Sequence, residues 1–262
     1  MGYSNIRQVL GAIAVIFLVL ILWVYTYKLG CFSLLMPIIV TVVIASGYIE
    51  IRMKQKECFR DCYFKKNTLI SKILTSPVLP SIFFILLSIS YSLSLMYLSI
   101  NFDSVFYLLL TLFIAAVFGI YRFFLNFFAN IVNDKHLEIF ARETTVKISA
   151  LILFCGYAYL FLNSSEPEYL RETLKETLTA ATNSISSNCS FVDVVLRTQT
   201  EVDSRIWFLM KESNSAIEEQ SSKNILWISF MILNSLAILG LNRFIVQVIY
   251  LLNKIIKRND GR

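Results

Sequence analysis

The chain has 262 residues, 56% of them apolar and 14% aromatic, with a mean hydropathy of +0.65. Soluble domains hold roughly 45–50% apolar residues, so this composition leaves too few polar groups to cover the apolar surface and excludes an ordinary soluble globular class. The net charge of +6 is absorbed by the loop asymmetry described below, which makes nucleic acid an unlikely partner.

A bilayer core takes about 20 apolar helical residues. The first such run, Val9–Tyr27, ends in Tyr25-Thr26-Tyr27 without a small-residue cleavage site, so it reads as a retained signal anchor. Leu34–Ile51 follows, with Pro37 in its first turn, where the missing N–H costs little. Pro80–Ile100 carries Ser81, Ser88, Ser92 and Ser99 as a small-residue stripe for close packing in lipid. Val105–Phe128 comes after a very short connection, which predicts a tight antiparallel pair with the preceding span. Val146–Leu162 is a shorter fifth run, and the sixth begins at Ile225 and stays apolar to Leu241. The predicted fold is an all-α integral membrane protein of about six transmembrane helices, with an extracytoplasmic helical hairpin between the last two. Its parts are a membrane domain over 1–162, the hairpin over 163–224, and a last span running into a basic tail over 225–262.

Lys and Arg counts orient the chain. Arg52, Lys54, Lys56, Arg60, Lys65, Lys66 and Lys72 fill the loop after the second run. Lys135, Arg142 and Lys147 lie between the fourth and fifth, and Lys254, Lys257, Arg258 and Arg262 lie in the tail. The alternate loops are poor in basic residues, and Asn163–Lys223 has ten acidic against six basic residues. Six spans with both termini cytoplasmic reconcile these counts, and a bacterial inner membrane is the expected setting.

The segment Asn163–Lys223 reads as two amphipathic helices. Ser165 and Glu168 have capping-box spacing, Leu170, Leu174, Leu178, Ala181 and Ile185 form a stripe, and Val192, Val195, Val202, Ile206 and Leu209 form the returning one. The ascending helix is expected to stand roughly 30 Å off the membrane, with neighbouring subunits of a homo-oligomer covering the stripes. No proline or glycine interrupts Ser190 to Gly240, which predicts one unbroken helix from the hairpin tip to Ile256. At that tip Cys189 is expected to be too far from Cys31 for a bond within one chain.

Charge inside a span is expensive and usually placed for a reason. Arg122, Asn126, Asn130 and Asn133 recur on one face of the fourth run, and Arg243 and Gln247 on the last; both stretches open on similar strings at Gly119 and Gly240. These residues either snorkel to headgroups and pair between helices, or line a polar vestibule in an oligomer. The basic residues Arg52, Lys54, Lys56, Arg60, Lys65 and Lys66 are candidates for contact with anionic lipid or an acidic cytosolic protein.

No glycine-rich phosphate loop, His-Glu-x-x-His or Gly-x-Ser-x-Gly occurs, and Cys58 and Cys62 have no nearby histidine. Neither catalytic residues, nor a metal, nor a cofactor is therefore expected. The sequence favours a non-enzymatic membrane sensor or anchor that couples the outer hairpin to a basic cytoplasmic face. An oligomeric pore lined by the fourth and sixth spans is the alternative, and an accessory subunit of a larger complex a third.

Overall fold

The computed structural model describes residues 3–63, 76, 78–102, 104–162, 167–216 and 220–260. The described residues fold into helices α1 (Tyr3–Thr26), α2 (Leu35–Tyr63), α3 (Val78–Ile100), α4 (Ser104–Phe128), α5 (Asp134–Leu162), α6 (Leu174–Asn183), α7 (Ser190–Ala216) and α8 (Gln220–Asp260). A short 3-10 turn over Cys31–Leu34 precedes α2. Among the described residues there is no strand.

Five of these helices, α1, α2, α3, α4 and α8, are long and apolar enough to cross a membrane. The expected fifth span, Val146–Leu162, lies on the 29-residue α5, whose side chains at 160–162 lie outside the described ones. In α8 the apolar window is 78% buried, against 22–33% in the other four, so α8 is the central helix and the rest form its jacket. It packs against α1, α2, α3, α4, α5 and α7. Ile16 and Leu20 of α1, Ile44 of α2, Leu95 of α3, Ile114 and Phe118 of α4 and Ile245 of α8 are fully enclosed in this core.

Small residues bring the helices together, as the serine stripe led us to expect. Ser88, Ser92 and Ser99 are all buried, and Ser92 Oγ donates to the Pro37 carbonyl across α2 at 2.7 Å. The partner differs from the expected one: α3 packs along α2 and α8, not along α4. A short connector fixes where two helices begin and end, while the face bearing the small residues decides what each lies against. Gly240 shows the closeness, because a Cβ there would sit 2.9 Å from the Tyr91 carbonyl oxygen.

At one end of the bundle α6 and α7 form a cap. Thr173 accepts from the Glu176 backbone N–H at 3.3 Å, an N-cap with capping-box spacing. The helix therefore starts later than the Ser165–Glu168 pair suggested, and residue 165 lies outside the described residues. With ten residues α6 is also shorter than the five-turn helix expected.

The cap does not stand off the bundle. Cys31 and Cys189 form a disulfide, which corrects the expectation that distance forbids it. Ser187 Oγ donates to the Tyr27 carbonyl beside it, and Phe191, Val192, Val195 and Leu196 close over Trp23, Leu34, Pro37 and Met96. Part of the expected stripe, Leu170, Ala181, Ile185 and Val192, is thus buried by its own chain, while Leu174, Val202 and Leu209 stay exposed.

The unbroken descending helix is likewise replaced. Val202 and Asp203 of α7 line the same cavity as Leu236 and Ala237 of α8. A straight helix would hold positions 202 and 236 about 50 Å apart at 1.5 Å per residue. The chain therefore doubles back between α7 and α8, and residues 217–219, where the two meet, lie outside the described residues.

Candidate functional site

Two polar sites lie along the C-terminal half of α8, one beneath the cap at Leu236–Ile238 and one from Arg243 towards the chain's termini. They are joined by an antiparallel seam between α5 and α8. Arg142 lies beside Gln247 (3.3 Å), Ser149 Oγ donates to Asn242 Oδ1 (2.7 Å), and the Asn242 amide donates to the Val146 carbonyl (2.9 Å). Further along, Tyr157 faces Leu236–Ile238 across the cavity.

The tail-end site is a buried ionic network built from α2, α5 and α8. Arg142 is 1% exposed. Its guanidinium donates to Glu50 Oε2 at 2.6 Å, to the Gly47 carbonyl at 3.1 Å and to Glu143 Oε1 at 3.3 Å. Glu143 bridges onward, taking Arg243 Nη1 on Oε2 at 2.9 Å. Tyr250 donates its hydroxyl to Glu50 Oε1 at 2.9 Å, and Lys254 approaches the same oxygen at 3.7 Å from the rim.

Aromatic faces complete the shell. Arg142 lies over the Tyr250 ring and Arg243 over Tyr48, at 4.5 and 4.1 Å. Arg142 thus uses all three of its nitrogens. Arg243 pairs through Nη1 alone and leaves Nε and Nη2 without a hydrogen-bond acceptor among the described residues, so its half of the cluster leans on the Tyr48 ring. Gln247 donates to Ser46 at 3.3 Å, and its carboxamide fills the space above Gly47, where a Cβ would fall 2.6 Å from Oε1.

Sequence reasoning singled out part of this network. Arg243 and Gln247 belong to it. Arg122 is half-buried on α4, while Asn126 and Asn130 are exposed, so the structure does not gather the α4 residues with the α8 pair. Of the two residues that hold the centre, Arg142 figured only as loop charge and Glu143 not at all, because they stand just before the apolar run of α5. Their adjacency to Thr144 and Thr145 at a span boundary was the available signal.

The basic α2 extension continues from Glu50 to Tyr63, more than three turns. Arg52 donates to Gln55 at 3.1 Å, Lys54 pairs with Glu57 at 3.2 Å, and Lys56 Nζ donates to the Ser76 carbonyl at 2.7 Å. The Arg60 side chain and residues Lys65 and Lys66 lie outside the described residues.

The cap-end site is a cavity of about 470 Å³ between α3, α5, α7 and α8. Asp203 on α7 reaches into it. One carboxylate oxygen, Oδ2, accepts both the Tyr169 hydroxyl at 2.9 Å and the Tyr97 hydroxyl at 3.5 Å. Burial lifts the Asp203 carboxyl above its usual range, and the two hydroxyl donors offset only part of that rise. Burial, with the Asp203 charge adding to it, pushes the Tyr169 hydroxyl upward.

Among the described residues, no group of His, Cys, Asp and Glu is arranged to hold a metal ion. Comparison with family models, with curated proteins and with solved structures yields no match to this chain.

Proposed function

We propose that the chain is a non-enzymatic multi-pass membrane sensor or anchor, in which the cap and its cavity face outward and the ionic network faces the cytoplasm. One observation carries this reading: the buried central helix α8 runs from the cavity wall at Leu236–Ile238 to the network at Arg243, Gln247 and Tyr250. A shift of α8 at the cavity wall is felt at the network a turn or more further along, because the α5 seam and the packed core do not deform continuously. Glu50 and Gly47 tie α2 to the network, so the basic extension at Arg52, Lys54 and Lys56 moves with it. That face then holds or releases anionic lipid or an acidic cytosolic protein.

Six crossings fit this arrangement. The α5–α8 seam runs from Arg142 to Tyr157, about 22 Å of helix, which supports α5 as the crossing additional to the five most apolar ones. The Cys31–Cys189 bond supports the orientation, since disulfides persist in oxidising compartments. The asymmetry of the loop charges supports the same orientation. A pore lined by α4 and α8 has less support, because Arg243 and Gln247 direct their polar groups into α2 and α5 of their own bundle.

Hydrogen–deuterium exchange on the full chain in nanodiscs tests the coupling. Releasing the cap by reducing Cys31–Cys189 is expected to speed exchange not only across 190–213 but also in 50–63 and 247–256. A change confined to the cap would sink the coupling.

A further inference from the structure

The cavity at the cap end has the composition of a site for a positively charged organic group. It is of a size that takes small ligands, which occupy roughly 300–1,000 Å³. Its walls are mostly apolar, with Tyr97, Tyr157 and Trp207 as the aromatic members. Its polar lining holds the neutral side chains of Ser94, Asn101, Thr198 and Gln199, and its one charged residue is acidic. Asp203 offers a carboxylate whose partners are two tyrosine hydroxyls, and among the described residues no Lys or Arg forms an ion pair with it. Gln199, on the turn of α7 preceding Asp203, turns a shielded Oε1 with no hydrogen-bond donor among the described residues.

A buried carboxylate without a cation is costly, and the usual remedy is a paired charge. Here the chain withholds that charge while lining one cavity with Asp203, Gln199 and aromatic side chains. Ammonium groups satisfy all three at once, by charge-assisted hydrogen bonding to the acceptors and by attraction to the ring faces. Anions are repelled by Asp203, and a neutral donor bonds the acceptors without the charge pairing.

We propose that this cavity binds an alkylammonium group, with Asp203 as its counter-ion, Gln199 as a second acceptor and Tyr97, Tyr157 and Trp207 as its aromatic wall. The group has two sources, the amine headgroup of a phospholipid or a free organic amine, and both present the same chemistry to Asp203. The assignment is separate from the coupling through α8: ligand binding can fail while the cap still communicates with the network, and the reverse.

The test uses the full chain in nanodiscs of phosphatidylglycerol alone, titrated with phenethylammonium and with the neutral isostere phenethyl alcohol. A second set of nanodiscs includes phosphatidylethanolamine, with retained lipid read by native mass spectrometry. Saturable binding of phenethylammonium, at least ten-fold tighter than the alcohol, supports the site with a free amine as its source. Selective retention of phosphatidylethanolamine supports it with a lipid source.

Asp203→Asn should reduce either signal at least ten-fold while the melting temperature holds or rises. The alcohol comparison on the unaltered chain keeps the test valid if that variant folds poorly. Equal binding of amine and alcohol together with no preference for the amine lipid, or full binding by Asp203→Asn, would overturn the proposal.

Discussion

Asp203 and Arg142 illustrate two opposite uses of a buried charge. Arg142 is held by three helices, and removing it leaves the partly buried Glu50 with only Tyr250 and the rim Lys254 as partners. Losing one partner of a buried pair costs ~3–5 kcal/mol, so Arg142→Ala should unfold at correspondingly lower denaturant, with Glu50→Gln in the same chain recovering part of the loss. Asp203 has no such cation, and its carboxyl is raised by burial. A carboxyl whose folded pKa lies above its unfolded value stabilises the fold most when protonated, and that contribution is lost as pH rises through the folded pKa. Asp203→Asn, which keeps an acceptor for Tyr169, should therefore raise the melting temperature at pH 7 and leave it little changed under acid conditions below the unfolded carboxyl's range. Thermal melts of the pair across pH check the sign. In the sequence Arg243 and Gln247 were legible because polar groups inside an apolar run stand out. Arg142, Glu50 and Asp203 stood at span edges or among other charges, and their partners arrive from helices distant in sequence.

Among the elements, the apolar runs located α1 to α4 directly, since bilayer length is a strong constraint. The last run was expected over Ile225–Leu241, whereas the membrane-length stretch of α8 among the described residues is Ser235–Ile256, because Arg243, Asn242 and Gln247 are buried against other helices and do not end it. On α7 the expected stripe included Val202 and Leu209, yet these are 52% and 57% exposed, while Thr200 and Ser204 are buried. Each buried hydroxyl bonds the carbonyl four residues back, as Thr200 does to Leu196 at 2.9 Å, and so enters the core without an unsatisfied donor. A reading that counts only apolar residues misses that face. The two similar glycine-led strings also part company here. Gly240 abuts the Tyr91 backbone, whereas a Cβ on Gly119 meets nothing within 4 Å. Gly240→Val should cost ~1–3 kcal/mol through overpacking, and Gly119→Ala should be neutral or gain ~0.5–1 kcal/mol of helix propensity. Denaturation of the two variants side by side separates them.

At the scale of the whole molecule, the described parts form one bundle around α8 with a cap stapled over one end. The staple joins residues 158 apart in sequence, and no local pattern announces such a pairing; it follows only once α7 is known to lie back on the bundle. If the cap faces outward, an impermeant maleimide added to intact cells should label Cys31 and Cys189 only after reduction, and Cys58 only after permeabilisation. The fold-back of α7 over α8 is what brings cavity, central helix and ionic network into one line, and a distance reports on it directly. With spin labels at Val202 and Leu236 and the native disulfide intact, dipolar electron-spin measurements should give a separation no larger than the width of one small cavity. A separation near 50 Å, that of one continuous helix from cap to tail, would contradict the account.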